Sequence, residues 1–308
     1  MLNPLFETSP VSSVILPGIP GGINLKGLIV VVGPNSSGKT NLLRDIHAAA
    51  SGSSRTLVVA QEIQLRPSAP LDDYLQFLQQ TGDLERLPDP NNENYRKRGH
   101  QYGTQTGGGG QWTRRDIESF HGRMAGYTSR PLKGVIPAND FLAQIGLLEC
   151  SALFIQQRLA LTDSGGSFDT HQAPPTVALQ ALRLNKTATR KFTAEIGRVF
   201  QRGAWPDVSG GGTLAIKVSD SNAPPSHEDR IFPEDVKPYR TIETEGEGIR
   251  SYAAVCIMLL LAQRSLYLID EPEMCLHPPQ ARAIGRFIGE HEKTVKGCIL
   301  VATHSSAL

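Results

Sequence analysis

Apolar positions form short β-branched runs near both ends of the chain, and helical periodicity lies between them. Residues 28–32 (LIVVV) are a continuous apolar run, the pattern of a buried strand in a parallel sheet. From Lys39 the period turns helical, with Leu42, Leu43 and Ile46 on one side, and it stops near Ser51-Gly52. Residues 13–16 predict a short edge strand and 17–22 a turn region. Residues 55–60 (RTLVVA) predict another strand, followed by Gln61 and Gln64. Towards the other end, 249–263 reads as a helix, 265–270 as an apolar strand running into acids, and 298–302 as a further strand.

The middle of the chain mixes both periods. Residues 140–157 predict an amphipathic helix, with Phe141, Ile145, Leu148, Ala152 and Ile155 at helical spacing and Asp140 in the first turn. Residues 158–161 then read as a short strand, and Pro174-Pro175 as a helix start. Two helices follow at 177–184 and 187–201, the second with Phe192, Ile196, Val199 and Phe200 on one face. Leu214, Ile216 and Val218 alternate with Ala215 and Lys217, a half-buried strand. No heptad run persists over several turns, so no coiled coil is predicted. Residues 67–137 carry the weakest pattern; the segment 86–98 is rich in Pro, Asn and charge, and four glycines stand together at 107–110. Arg96, Lys97, Arg98, Arg114 and Arg115, with Tyr95, Tyr102 and Trp112, have the residue types of a nucleic-acid contact. A solvated insertion accounts for them better, because charge runs in loops are common.

The run after residue 32 carries the chemistry. Gly33-Pro34-Asn35-Ser36-Ser37-Gly38-Lys39-Thr40, followed by Asn41, matches G-x-x-x-x-G-K-[ST] between a strand and a helix, which makes it a P-loop. Gly33 and Gly38 let the backbone curl so that successive N–H groups face phosphate oxygens, and the helix start adds its dipole. Lys39 is placed to neutralise β- and γ-phosphate charge, and the Thr40 hydroxyl to reach Mg²⁺. The strand at 265–270 ends in Asp270-Glu271-Pro272 and looks like a Walker B strand, with Asp270 on Mg²⁺ and Glu271 polarising the attacking water. Residues 243–250 (ETEGEGIR) place Gly246 and Gly248 at a helix start with Ser251 in the first turn, either a second anion site or a plain cap. A glutamine after a core strand can contact Mg²⁺ and the attacking water, so Gln61 and Gln64 are both candidates beside the reading of a surface glutamine. His277 and Glu273 have i, i+4 spacing, but the two prolines after His277 argue for a loop rather than a metal site.

Composition narrows the setting. The 308 residues suit one large or two modest domains, and the net charge of +1 gives no global attraction to nucleic acid. Cys150, Cys256, Cys275 and Cys298 are scattered without a C-x-x-C, consistent with free thiols in a reducing cytoplasm. No signal peptide is visible, and the longest apolar stretch, 253–262, falls short of the ~20 residues of a membrane span, so a cytoplasmic protein without a membrane partner is expected.

The motif order is similar to that of ABC-class ATPase heads. Asp270-Glu271-Pro272-Glu273, Leu276-His277-Pro278-Pro279-Gln280 and Val301-Ala302-Thr303-His304-Ser305-Ser306 closely resemble the AAA-type, ABC-class ATPases related to OLD, RecF and SMC proteins, which carry IDEPExxLHP and THSP. The resemblance covers roughly residues 13–60 and 239–308. It implies ATP and Mg²⁺ as ligands, phosphate and metal roles for Lys39, Thr40 and Asp270, water activation by Glu271, and a γ-phosphate-sensing switch role for His304. It sets the segment 246–251 where a second subunit's ATP is contacted, although LSGGQ is absent. The implied assembly is a homodimer sandwiching ATP, linked to DNA or to an effector such as a nuclease.

The expected fold is therefore α/β, a P-loop NTPase with an ABC-ATPase-like head, a mixed sheet and an inserted α+β or helical region. Residues 1–66 would form the N-terminal part of the head, 67–238 the insertion and 239–308 the C-terminal part. Three readings compete besides a nucleotide-gated switch that needs no turnover. More than two hundred residues separate Gly33 from Gly246, which disfavours a transporter subunit, and the lack of heptad arms disfavours an SMC-like role. A DNA-linked or defence-type ATPase remains. Leu308 lies four residues past His304, directly after a strand, and relatives usually continue, so a fragment of a longer chain is expected.

Overall fold

The structure, a computed structural model, describes residues 4–80, 84–89, 93–97, 111–139, 142–143, 149–166, 175, 177–208, 212–222, 239–261 and 264–305. In chain order the principal elements are β1 (Val11–Ile15), β2 (Gly27–Val32), α1 (Lys39–Ser51), β3 (Glu62–Leu65), α2 (Leu71–Gln80), α3 (Arg114–Thr128) and β4 (Cys150–Leu153). There follow α4 (Ile155–Ala160), α5 (Ala178–Leu184), α6 (Lys186–Phe200), β5 (Gly203–Asp207), β6 (Thr213–Ser219), α7 (Glu247–Leu261), β7 (Leu266–Asp270), α8 (Pro278–His291) and β8 (Cys298–Thr303). Among these helices none is long and apolar enough to cross a membrane.

The central sheet runs β4-β7-β8-β2, and all three of its ladders are parallel. Period-two alternation splits its side chains between two cores. Leu266, Leu268, Cys298, Leu300 and Ala302 face a core shared with α1, whereas Tyr267, Ile269, Ile299 and Val301 face a second core. The second core is built on α7, which is buried all round and packs against α4, α5, α6 and α8. A helix apolar on every side has to be enclosed by others, and that is how the long apolar stretch is used.

The expected P-loop strand forms, but only one of its faces is covered. Ile29 and Val31 pack on the first core, while Leu28, Val30 and Val32 stay exposed, Val32 at 62%. β2 is the last strand of this sheet, so the helices that cover β7 and β8 on that side do not reach it. A separate antiparallel sheet places β1 between Ile23–Asn24 and β3, with Leu132–Lys133 beyond, so the strand expected at an edge lies inside. β5 and β6 pair antiparallel, and the two helices expected at 177–184 and 187–201 form as α5 and α6 next to them.

Three further expectations need correction. Of the helix expected over 140–157, residues 140, 141 and 144–148 lie outside the described residues, and 150–153 form β4 instead. The strand expected at 158–161 is the end of α4 and the turn after it. Parallel pairing of Cys150–Leu153 along β7 outweighs local helical spacing here. The middle region thus supplies a strand to the central sheet.

The strand expected at 55–60 is reduced to Arg55–Thr56, paired with Val135–Ile136. Asp45 of α1 is the reason. Its fully buried carboxylate accepts from the amides of Val58, Val59 and Ala60 at 3.0, 2.8 and 3.1 Å and from Arg55 Nε at 2.7 Å. Amides spent on a carboxylate are lost to a strand ladder, and a buried carboxylate needs such partners. Asp45→Ala leaves three amides and a cation without their acceptor, and the expected loss is on the order of 3 kcal/mol, read from urea unfolding. A midpoint equal to wild type would remove Asp45 from this role.

Candidate nucleotide site

The parallel ladders bring three strand ends together. β2 runs into the loop 33–38, β8 into Thr303-His304 and β7 into Asp270-Glu271, with Asp270 opposite Ala302 and Thr303 opposite Val32. Open parallel sheets bind ligands at their carboxyl ends, and every candidate on these strands lies there.

The loop has the backbone its residues allow. Gly38 has φ +90° and Ser36 φ +62°, both left-handed, and a Cβ on Gly33 would stand 2.9 Å from Ser37 Oγ. Pro34, Asn35, Ser36 and Ser37 are exposed. Lys39 is buried, and its Nζ donates to the carbonyls of Gly33 at 2.7 Å and Pro34 at 2.8 Å. The ammonium thus lies curled into the loop, with acceptors that an anionic oxygen could replace. Asn41 turns away, its Oδ1 accepting from Arg55 Nη2 at 3.3 Å.

Thr40 and Asp270 meet across the site. The Thr40 hydroxyl lies 3.0 Å from both carboxylate oxygens of Asp270. Burial pushes the Asp270 carboxyl up from its usual range, and Glu271 adds to this, while Thr40 and Arg158 oppose it. A hydroxyl and a carboxylate at that spacing are hard oxygen donors of the kind Mg²⁺ takes, so the residues present could hold the ion.

Glu271 leaves the strand with φ +45°, a left-handed conformation that is uncommon for a residue with a side chain. Its amide still donates to Ala302 O at 2.7 Å. His304 Nδ1 lies 3.5 Å from Glu271 Oε1 and 3.3 Å from Glu273 Oε1, so one ring nitrogen stands between two carboxylates. Glu273 is buried, and its Oε1 accepts from the Thr303 hydroxyl at 2.5 Å and the His304 amide at 3.2 Å. It therefore holds Thr303 and His304 in place at the end of β8. His277 instead caps α8, its amide donating to Gln280 Oε1 at 3.1 Å. Among the described residues no cluster of three metal-ligating side chains occurs.

The 246–251 segment divides. Gly246 is exposed, with open space where a Cβ would be. Gly248 is pressed onto the loop after β7, where a Cβ would come 2.4 Å from Cys275 O. Among the described residues the Ser251 hydroxyl is buried without a hydrogen-bond partner, so it does not present itself at the surface. Of the two glutamines, Gln64 spends its amide on the carbonyls of Leu65 and Thr128. Gln61 is exposed, next to a stretch whose Val59 is 3.0 Å from a Cβ placed on Gly38.

Sequence patterns gave no sign of Arg158. It is 1% exposed, and its Nη1 donates to Asp270 O at 2.6 Å. Burial pushes its guanidinium down to about 10, against the opposing pull of Asp270, Glu273 and Glu271. A buried arginine in an expected strand carries no motif; only its spacing from the acids in three dimensions reveals it.

The expected nucleic-acid cluster looks different in place. Arg114 bonds to Asp72, Glu93 and Glu118, Arg86 to Glu93, and Arg96 lies 3.7 Å from Glu85. Tyr95 is buried, and Trp112 packs edge-on to Phe120. Lys97's side chain, Arg98 and Tyr102 lie outside the described residues.

Comparison with known proteins agrees with the geometry. Residues 208–308 match the family model described as AAA domain, putative AbiEii toxin, Type IV TA system. An SMC head solved bound to the C-winged helix domain of ScpA superposes with a TM-score of 0.52 at 13% identity, over 96% of this chain and 90% of that one. The chain has the fold of a P-loop ATPase head of the SMC type. The SMC head domain from Thermotoga maritima aligns at 14% identity and a TM-score of 0.43, over 96% of this chain and 88% of that one. Protein ea59 of Escherichia phage lambda is 29% identical over 76 residues, 25% of this chain and 14% of that protein. The matched stretch of the head thus spans about a seventh of that relative's length.

The two glycines of the 246–251 segment should respond differently to a methyl group. Gly246→Ala should leave the thermal midpoint of the head unchanged. Gly248→Ala, closing on Cys275 O, should cost about 1–3 kcal/mol in chemical denaturation. Equal effects would contradict the packing described.

Proposed function

We propose that this head binds ATP with Mg²⁺, hydrolyses it, and dimerises head to head around two nucleotides to gate an effector. The observation that carries the reading is the meeting of Lys39, Thr40, Asp270, Glu271 and His304 at three adjacent strand ends, with Thr40 and Asp270 3.0 Å apart.

Lys39 exchanges the carbonyls of Gly33 and Pro34 for phosphate oxygens, a stronger charge-assisted contact. The amides of the 33–38 loop and the start of α1 surround the same phosphates. Thr40 and Asp270 would hold Mg²⁺, which would supply positive charge against the phosphates. Glu271 orients the attacking water and takes its proton, and His304, beside it, senses whether the γ-phosphate is present. Of the two glutamines Gln61 is the candidate for the water, because Gln64 spends its amide on Leu65 and Thr128. Each head lends the start of its α7 to its partner's nucleotide. With Ser251 turned inward, that contact falls to the exposed backbone at Gly246 and Glu247. Hydrolysis then removes the group joining the two heads.

The effector is a protein in cis or in trans, a nuclease or another enzyme of a defence or DNA-repair system. The SMC head with the similar fold was solved with a partner domain seated on it, in line with regulation through protein contact. DNA contact through the stretch from Tyr95 to Arg115 has weaker support, since Arg96 and Arg114 already face acids.

Glu271→Gln should bind MgATP and persist as a dimer, seen as a doubled mass by light scattering; a monomer under saturating MgATP would count against the sandwich. Lys39→Ala should lose nucleotide binding by at least about tenfold, roughly 1.4 kcal/mol. Undiminished affinity in a fluorescent-nucleotide titration would take Lys39 out of its role.

A further inference from the structure

The peptide between Asp270 and Glu271 joins the residue assigned to the metal and the residue assigned to the water. Its two sides are held differently. The Glu271 amide donates to Ala302 O of β8 at 2.7 Å, so that side belongs to the sheet. The Asp270 carbonyl points to the other side of β7, where β4 pairs only as far as Leu153 opposite Ile269. The chain there has turned away into α4, and among the described residues no strand is left to donate. Arg158 of α4 fills the place, with Nη1 2.6 Å from Asp270 O. A side chain has replaced the ladder at the residue where the backbone passes into the left-handed φ of Glu271.

The same short helix is gripped from α7. Arg250, the fourth residue of α7, sends Nη2 to Leu159 O at 3.1 Å and to Asp163 Oδ1 at 2.7 Å, and Nε to Thr162 Oγ1 at 3.4 Å. Thr162 is fully buried and bonds to Leu159 O at 2.8 Å, so the end of α4 is tied to its own turn. Just before α7, Glu243 accepts from the Ser164 amide. The start of α7 and the end of β7 are therefore fastened to one six-residue helix, Leu159 to one and its neighbour Arg158 to the other.

We propose that Arg158 is a positioning residue for hydrolysis and that α4 is a strut carrying the position of the α7 start to the Asp270–Glu271 peptide. This rests on the reading that the start of α7 engages a partner's nucleotide. Engagement shifts Arg250, Arg250 moves α4, and Arg158 sets the peptide whose side chains face the metal and the water. Each head would then hydrolyse its own nucleotide only when its α7 start is seated on the other head.

Four variants test it: Arg158→Lys, Arg250→Lys, the half-exposed Asp163→Ala, and the Arg158→Lys/Arg250→Lys pair. Affinity for a fluorescent ATP analogue should stay within about twofold of wild type in all four. Turnover at saturating MgATP should fall about tenfold in Arg158→Lys and Arg250→Lys and severalfold in Asp163→Ala. The pair should be no slower than Arg158→Lys alone, since both changes break one path. Losses that multiply in the pair, or wild-type turnover in both Arg250→Lys and Asp163→Ala, would overturn the strut. A second readout does not depend on hydrolysis. In the free protein, amide hydrogen exchange over residues 271–276 should quicken at least about threefold in Arg158→Lys and in Arg250→Lys. Unchanged exchange in both variants overturns the strut whatever the turnover. Quickened exchange in a head whose wild type does not turn over would sustain the strut and refute the hydrolysis reading.

Discussion

The parallel ladder of β7, β8 and β2 is the constraint on which the site depends. Thr40 and Asp270 lie far apart in the chain and come within 3.0 Å only because β8 is inserted between the P-loop strand and the acidic strand. Parallel pairing aligns all three carboxyl ends at one edge, and the register fixes how far each projects. The two cores on either side hold that register, because a slip by one residue would exchange their contents. Where the second core stops short, at β2, the strand still pairs and still delivers the loop.

Charge is concentrated at that edge, and its arrangement follows from burial. Asp270 and Glu273 are buried and Glu271 is close by, so like charges would repel unless compensated. Compensation is local and varied: the Thr40 hydroxyl on Asp270, the Thr303 hydroxyl and His304 amide on Glu273, the His304 ring between Glu271 and Glu273, and Arg158 from beneath. Single interactions of this kind are modest in water and stronger where solvent is excluded. They also explain how a left-handed Glu271 is sustained, its peptide bonded on one side to β8 and on the other to Arg158.

Away from the site, charged residues serve the fold. Asp45 draws three amides and Arg55 into a wrap beside the P-loop, and Arg66 with Glu149 forms a buried pair at 2.5 Å. Arg114 joins α2, the residue before the strand Asn94–Lys97, and α3 through Asp72, Glu93 and Glu118. The pairings of Arg96 and Arg114 take up two of the cations that the residue types offered to an anionic partner.

Much of the candidate site was legible in the sequence because the motifs that propose it are local. A glycine loop between strand and helix needs Gly33, Gly38, Lys39 and Thr40 in fixed order, and a strand ending in Asp270-Glu271 announces itself by its apolar run. The helix α7, its all-round apolarity, and the helices α5 and α6 were likewise written in period and punctuation. What local pattern could not decide was anything set by a distant partner. Residues 150–153 have spacing that suits a helix but pair with β7, and residues 55–60 suit a strand but give their amides to Asp45. Arg158, Glu273 and the inward turn of Ser251 depend on which side chains lie across the fold, and Gly248 on the carbonyl pressed against it. The sequence by itself determined the chemistry of the loop and of the acidic strand end, because neighbours in the chain make them. Tertiary structure alone decided which charges meet, since burial and pairing depend on contacts between residues that no local period connects.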